Sequence, residues 1–570
     1  MARDISRLDF IPSTAMRGGS ITIMHHKMSR RDLLGNTLKL SGGLMLAQTI
    51  PAWSQTTPAV DTTSGKVRGA MREGIHSFKG ISYGANTGGK NRWLPPQPAQ
   101  PWTGVRDALE YGPRAPQNER PAKAPHLAWI RDTRAYGEDC LVVNVFTPGI
   151  NDNRKRPVLV YIHGGGFVSG ASSAPGLDGH NFSKRGDVVL VSLNHRLNVF
   201  GHLSLAESGD ARYADAGNVG MLDLIQALKW VRQNIANFGG DPGNVSISGQ
   251  SGGASKVAVL MAMPEAQGLF HKAIIQSASS LLRMATPEAA ARNTHHLLTQ
   301  LGLDSSKIGA LLDVPTATLL QAMPKAVAAA GRVDNYRPVV DGRSLKVHPF
   351  DPAAPALSAN VPLMIGSCET EMTFPYSQAM QNFSYNTEQV LERVKGFVGV
   401  DDVKAKELID LYRKSRPNAT PGDLWVAIST DHQYRRNGIR ASELKAAQGK
   451  APSWHYLFTW KSPVLDGLLK SPHTICIPFS FGNVDIAAGL TGTGAERYAL
   501  QERMMDAWHA FMKTGNPNHG GLPQWKPYDA KDHPTMIFDN DCRLVNDPSR
   551  DERIAISACP PYSADGSGRK

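Results

Sequence analysis

The stretch Gly249-Gln250-Ser251-Gly252-Gly253 joins residues 244–248, a short run that reads as strand, to residues 254–261, an apolar run that reads as helix. In that setting a G-x-S-x-G sequence is a nucleophile elbow, a turn sharp enough to hold the serine in a strained conformation and project its hydroxyl. The flanking glycines have a steric reason, because a larger neighbour would collide with the strand or the helix. Ser251 is the candidate nucleophile.

Upstream, residues 157–162 are short and rich in branched side chains, as a strand buried on both faces should be. They run into His163-Gly164-Gly165-Gly166-Phe167, where three consecutive residues lack side chains and backbone can approach a ligand closely. Such a loop can cradle phosphate. The lysine of the Walker pattern is missing, however, and a His-Gly-Gly-Gly loop after a strand, with an elbow downstream, points to an oxyanion hole.

Further strands are expected at residues 78–83, 138–146, 188–194, 272–277 and 362–366. A helix is expected over 222–238, with Leu222, Ile225, Leu228, Val231, Ile235 and Phe238 at three- and four-residue spacings, ended by Gly239-Gly240. Residues 286–358 and 387–447 read as helical regions. Strands alternating with helices in this order predict an α/β fold: a central, mostly parallel sheet of more than six strands flanked by helices, with helical insertions. Residues 55–570 are expected to form it as one domain.

The first 54 residues read as a leader. Ser29-Arg30-Arg31-Asp32-Leu33-Leu34 precedes a moderately apolar stretch over 38–50 and a small-residue site at Ala52-Trp53-Ser54. Twin arginines mark the Tat pathway, so export to the periplasm or beyond is expected, with cleavage near Ser54 or Gln55. The apolar stretch is too short and interrupted to span a bilayer.

The formal net charge of +12 favours anionic partners only mildly, and the basic residues form no aromatic-interleaved stripe, so nucleic-acid binding is not expected. Five cysteines, Cys140, Cys368, Cys476, Cys542 and Cys559, make no disulfide framework at this length. Cys542 with Cys559 and Cys368 with Cys476 are conceivable pairs; free buried thiols are the expectation for the second. No H-E-x-x-H or paired C-x-x-C spacing occurs, so no metal and no cofactor is expected.

From about residue 60 to 548 the chain resembles the type-B carboxylesterases of the α/β hydrolases. The resemblance rests on Glu138-Asp139-Cys140-Leu141, the loop His163 to Phe167, Asn237-Phe238-Gly239-Gly240-Asp241-Pro242 before the elbow, and Thr514-Gly515-Asn516-Pro517-Asn518. It implies an α/β-hydrolase fold and a serine hydrolase of carboxylic esters with a Ser-Glu-His triad. The family's positions fall on Ser251, on Glu371 five residues after Gly366, and on His473 ahead of Pro478-Phe479-Ser480-Phe481-Gly482-Asn483. Oxyanion donors fall on the N–H groups of Gly165, Gly166 and Gly252. Ser277 resembles a serine that hydrogen-bonds the acid, and a plain strand-end serine fits equally well. Glu369 competes with Glu371 by composition; the chain is expected to be extended there and to send the two carboxylates opposite ways, with the family spacing selecting Glu371.

The chain departs from that family in four places. Gln250 and Gly252 replace the usual Glu and Ala around the serine, a retuning in which Gly252 is the more flexible choice. Ala115-Pro116-Gln117 lacks the cysteine that usually pairs with the position of Cys140, so residues 116–139 are expected to be looser. Met372 replaces the glycine after the acid. The implied partner is a small-molecule ester; an amidase or carbamate hydrolase with the same triad is the alternative, and a non-catalytic adhesion relative would be expected to have lost the serine or the histidine.

Overall fold

Val158, Val160 and Ile162 face one side of the strand Arg156–Ile162 while Leu159 and Tyr161 face the other, and all five are buried. Successive side chains point to opposite faces of a strand, so a continuous apolar run requires cover on both faces of its sheet. The computed structural model describes residues 55–119, 124–330 and 336–562. The leader reading, on residues 1–54, lies outside the described residues.

The strands in chain order are β1 (Gln55–Thr56), β2 (Val60–Thr62), β3 (Gly65–Arg68), β4 (Ala70–Arg72), β5 (Ile75–Ser82), β6 (Val105–Asp107), β7 (Val142–Thr147), β8 (Arg156–Ile162), β9 (Val189–Leu193) and β10 (Gly240–Gln250). They continue with β11 (Lys272–Gln276), β12 (Leu363–Cys368), β13 (Ser453–Phe458), β14 (Pro534–Phe538) and β15 (Arg543–Asn546). Twelve build one sheet in the order β1-β4-β5-β7-β9-β8-β10-β11-β12-β13-β14-β15, and β2, β3 and β6 form a small second sheet. From β9 to β14 every pairing is parallel, and both ends of the sheet are antiparallel. This is the expected α/β-hydrolase architecture.

One face packs on the helices Val219–Asn234 and Gly252–Ala262, the other on Glu496–Thr514. The first helix begins three residues before the expected start, and residues 235–238 tighten into a 3-10 turn ended by Gly239 at φ 72°. At its start Asp223 accepts from the backbone N–H, Nε and Nη2 of the fully buried Arg196, at 3.0, 2.9 and 2.6 Å, which ties the helix to the chain leaving β9.

Two expectations need correction. Residues 286–358 are not helical throughout: Pro287–Leu301 and Thr316–Ala329 are helices, but 336–358 is mostly irregular, broken by Pro338, Gly342, Pro349, Pro352 and Pro355. Strands β13, β14 and β15 were not foreseen. Each is a short apolar or mixed run that alone carries no period distinguishing strand from helix.

Residues 387–447 are helical apart from breaks at 400–401 and 416–420, with wide turns at Lys395–Gly399 and Asp431–Arg435. Such turns shift side-chain direction within a helix and recur at functional sites. All five cysteines are free and buried. Among the described residues no helix is long and apolar enough to cross a membrane.

Candidate active site

Ser251 stands between β10 and the helix Gly252–Ala262 at φ 58°, ψ −125°, a conformation that costs of order 1–3 kcal/mol and persists only where the surroundings enforce it. They do so on both sides. Its N–H donates to Gln276 O at 2.8 Å, and its carbonyl accepts from the Ser255 N–H at 3.0 Å. A Cβ on Gly249 would lie 2.4 Å from the Gly253 carbonyl carbon, and one on Gly253 would lie 2.0 Å from Ile162 O. Strand and helix are thus packed backbone to backbone at the elbow.

Gly252 has a different reason from the flexibility expected of it. A Cβ there would meet Gly166 O at 2.1 Å, so the missing side chain makes room for the His163-to-Phe167 loop. Gly165 and Gly166, at φ 96° and 65°, adopt left-handed conformations that favour glycine. Every carbonyl of the loop is drawn back into the protein. Gly164 O accepts from His163 Nδ1 at 2.8 Å, Gly165 O from the Ser169 N–H at 3.1 Å and its hydroxyl at 3.2 Å, and the His163 and Gly166 oxygens from Lys256. The N–H groups of Gly165 and Gly166 have no acceptor among the described residues. Gly252 opens its helix, where an N–H has no intrahelical acceptor. Among the described residues, then, none of these three N–H groups beside Ser251 has an acceptor.

Glu371 is fully buried beyond the end of β12, and its Oε2 lies 2.5 Å from Nδ1 of the buried His473, which follows β13. Its Oε1 accepts from the Cys368 N–H at 2.7 Å. The two loops are laced together: Thr370 N–H donates to Ser471 O (3.1 Å), Ser471 N–H to Thr370 Oγ1 (2.8 Å), His473 N–H to Glu371 O (3.3 Å) and Thr373 Oγ1 to Leu469 O (2.6 Å). Acid and base meet because neighbouring parallel strands release their loops at the same edge.

Glu369 sits among Lys461, Arg416, Arg435 and Asp539, away from the imidazole, and burial pushes its carboxyl above the usual range. The expected reason for this separation was wrong. Residues two apart on a continuing strand share a face; the carboxylates part because the chain leaves the strand at Cys368 and turns. Ser277 does not hydrogen-bond the acid: its Oγ lies 3.9 Å from Cys368 Sγ and its N–H donates to Gly366 O. The Cys368 backbone occupies the place at Glu371 that the resemblance gave to that serine.

Several neighbours were not foreseen. The Gln250 side-chain amide lies 3.2 Å from His473 Nε2, which places the residue before Ser251 against the imidazole. The Tyr434 ring, carried by the wide turn Asp431–Arg435, stacks obliquely on His473 at 5.0 Å between centroids, and Phe374 meets it edge-on at 5.8 Å. No periodicity reports a wide turn in advance. Lys256 left a readable trace, as the one charge in the otherwise uncharged Gly252–Ala262 run.

The described part of 116–139 is tied by hydrogen bonds, with no disulfide at Cys140. Arg114 Nε donates to Arg134 O at 2.6 Å, backbone bonds join Arg114 to Ala135 and Gly137, and Gln117 exchanges two hydrogen bonds with the Gly170 backbone, at 2.8 and 3.0 Å. Hydrogen bonds here do the tying expected of the bridge.

Comparison with known proteins agrees with this architecture. A model of the carboxylesterase family matches residues 56–556. Para-nitrobenzyl esterase of Bacillus subtilis (strain 168) is 34% identical over 510 residues, covering 87% of this chain and 97% of its own. Phenmedipham hydrolase of Pseudarthrobacter oxydans is 32% identical over 510 residues, covering 88% and 99%. The crystal structure of a Geobacillus stearothermophilus carboxylesterase superimposes with a TM-score of 0.77 at 36% identity, covering 88% of this chain and all of that one.

Proposed function

This chain belongs to the carboxylesterase family and is a carboxylic ester hydrolase, and on that premise we propose that it works through an acyl-enzyme formed on Ser251 with a Ser251-Glu371-His473 triad. The observation that carries the reading is the 2.5 Å contact between Glu371 Oε2 and His473 Nδ1, on an imidazole that lies against Gln250 of the elbow.

The chemistry follows from that order. A serine hydroxyl is a poor nucleophile, so His473 Nε2 takes its proton as Oγ attacks the ester carbonyl. Glu371 keeps the other proton on Nδ1 and stabilises the imidazolium. Charge developing on the carbonyl oxygen is met by the N–H groups of Gly165, Gly166 and Gly252, each such donor being worth about 3–4 kcal/mol. The imidazolium then protonates the departing alcohol, and water repeats the sequence on the acyl-serine.

Turnover of a p-nitrophenyl ester should show a burst, and protein quenched during it should carry the acyl mass on the peptide holding Ser251. The matching p-nitroanilide should react far more slowly, because an amine is the harder leaving group. Equal rates on ester and anilide would establish an amidase activity beside the esterase one. Absence of any acyl adduct would remove the covalent mechanism.

Gln250 permits a sharper expectation. Its neutral amide nitrogen lies 3.2 Å from Nε2 and 3.4 Å from Nδ1 of His473, over the imidazole ring. In Gln250→Glu a carboxylate would stand there and favour the imidazolium, so the acidic limb of the kcat/KM profile should move to higher pH by roughly one unit or more. A profile unchanged within 0.2 units, in a folded variant, would separate Gln250 from the histidine.

A further inference from the structure

Lys256 is fully buried on the helix behind Ser251, yet among the described residues it has no carboxylate partner. Desolvating an ammonium group costs several kcal/mol, so such a lysine needs other compensation. What it has is backbone: Nζ donates to Gly166 O at 2.7 Å and to His163 O at 3.4 Å, beside the Phe167 ring at 5.4 Å.

We infer that Lys256 is a positioning residue of the oxyanion hole, holding the carbonyls of His163 and Gly166 inward so that the N–H groups of Gly165 and Gly166 face the serine. The inference rests on reading that loop as the oxyanion hole. A peptide unit is planar, so fixing a carbonyl fixes the N–H of the same unit and limits its neighbours. The inner carbonyls, those of Gly164 and Gly165, are held by His163 and Ser169, and Lys256 pins the peptides on either side. Gly252 belongs to the same geometry, because the loop so held fills the space a Cβ would need.

The titratable groups facing Lys256 are His163, His195 and His202. Burial holds all three imidazoles well below their usual range, and it pushes the Lys256 ammonium down to about 7. An uncharged amine still has an N–H for each of the two carbonyls, so the clamp survives loss of the proton.

The test compares Lys256→Met, of similar length and without donors, with Lys256→Gln, which retains an amide donor. Lys256→Met should lower kcat on a p-nitrophenyl ester by roughly 10- to 100-fold, below the loss of a whole donor, with little change in KM. Affinity for an aryl trifluoromethyl ketone, which forms an oxyanion on the serine, should fall by the same factor as kcat/KM. Affinity for the unreactive product alcohol should stay as in the parent, and Lys256→Gln should recover part of the loss. Parent-like kcat and ketone affinity in Lys256→Met would overturn the proposal. Ketone and alcohol affinities falling together would also overturn it, since that marks general damage. If Lys256→Met does not fold, the ketone-to-alcohol affinity ratio in Lys256→Gln decides: a reduced ratio supports the clamp and a parental ratio refutes it. Failure of the parent enzyme to be acylated at Ser251 would instead remove the reading beneath it.

Discussion

Ser251→Ala should lower kcat by roughly 10⁶-fold, the scale seen when the nucleophile of a serine hydrolase is removed, while the protein stays folded. The expectation of folding comes from the elbow. Alanine keeps the Cβ that already occupies the strained φ 58°, and the bonds enforcing the turn are backbone bonds to Gln276 and Ser255. Removing the hydroxyl therefore deletes chemistry and leaves the turn. The N–H donors of Gly165, Gly166 and Gly252 would still polarise a bound ester, so a residual rate above uncatalysed hydrolysis, without a burst, is part of the expectation. Burst titration and steady-state turnover on one preparation check it. Turnover above about one part in a hundred of the parent would mean another group attacks the ester.

Glu371→Gln should lower kcat by about 10⁴-fold, as the equivalent change does in a serine protease. Here the structure supplies the reason. Oε1 can still accept from the Cys368 N–H in the variant, but an amide NH₂ presented to Nδ1 demands a lone pair there and moves the imidazole proton to Nε2. A histidine protonated at Nε2 has nowhere to put the serine proton. Glu369→Gln should keep turnover near the parent value, because Glu369 lies among Lys461, Arg416 and Arg435 and does not reach the ring. Both variants should be obtained in comparable yield, with kcat and KM measured side by side. An active Glu371→Gln beside an inactive Glu369→Gln would reverse the assignment of the acid.

The elbow and the glycine loop were legible in the sequence because their constraints are local. A serine between a strand and a helix needs Gly249 and Gly253 for clearances of about one atom, and Gly165 and Gly166 need backbone angles that other residues rarely take. The apolar run of β8, buried on both faces, likewise implied a sheet covered on both sides. Glu371 and His473 were reached only through spacing shared with a family.

Contacts across long separations were decided by the tertiary structure. Glu371 meets His473 across 102 residues and Gln250 meets it across 223, through the order of parallel strands and the lacing of their loops, which no pattern within a single element encodes. The same holds for Gly252, which reads as flexibility in a turn and proves to be space for a loop nearly ninety residues away in the chain. Sequence alone determined which segments must bend sharply and which must be buried, since each of those demands is met by the residue itself. Which carboxylate faces the imidazole, and what holds the loop's carbonyls, had to wait for packing, because a hydrogen bond belongs to both of its partners.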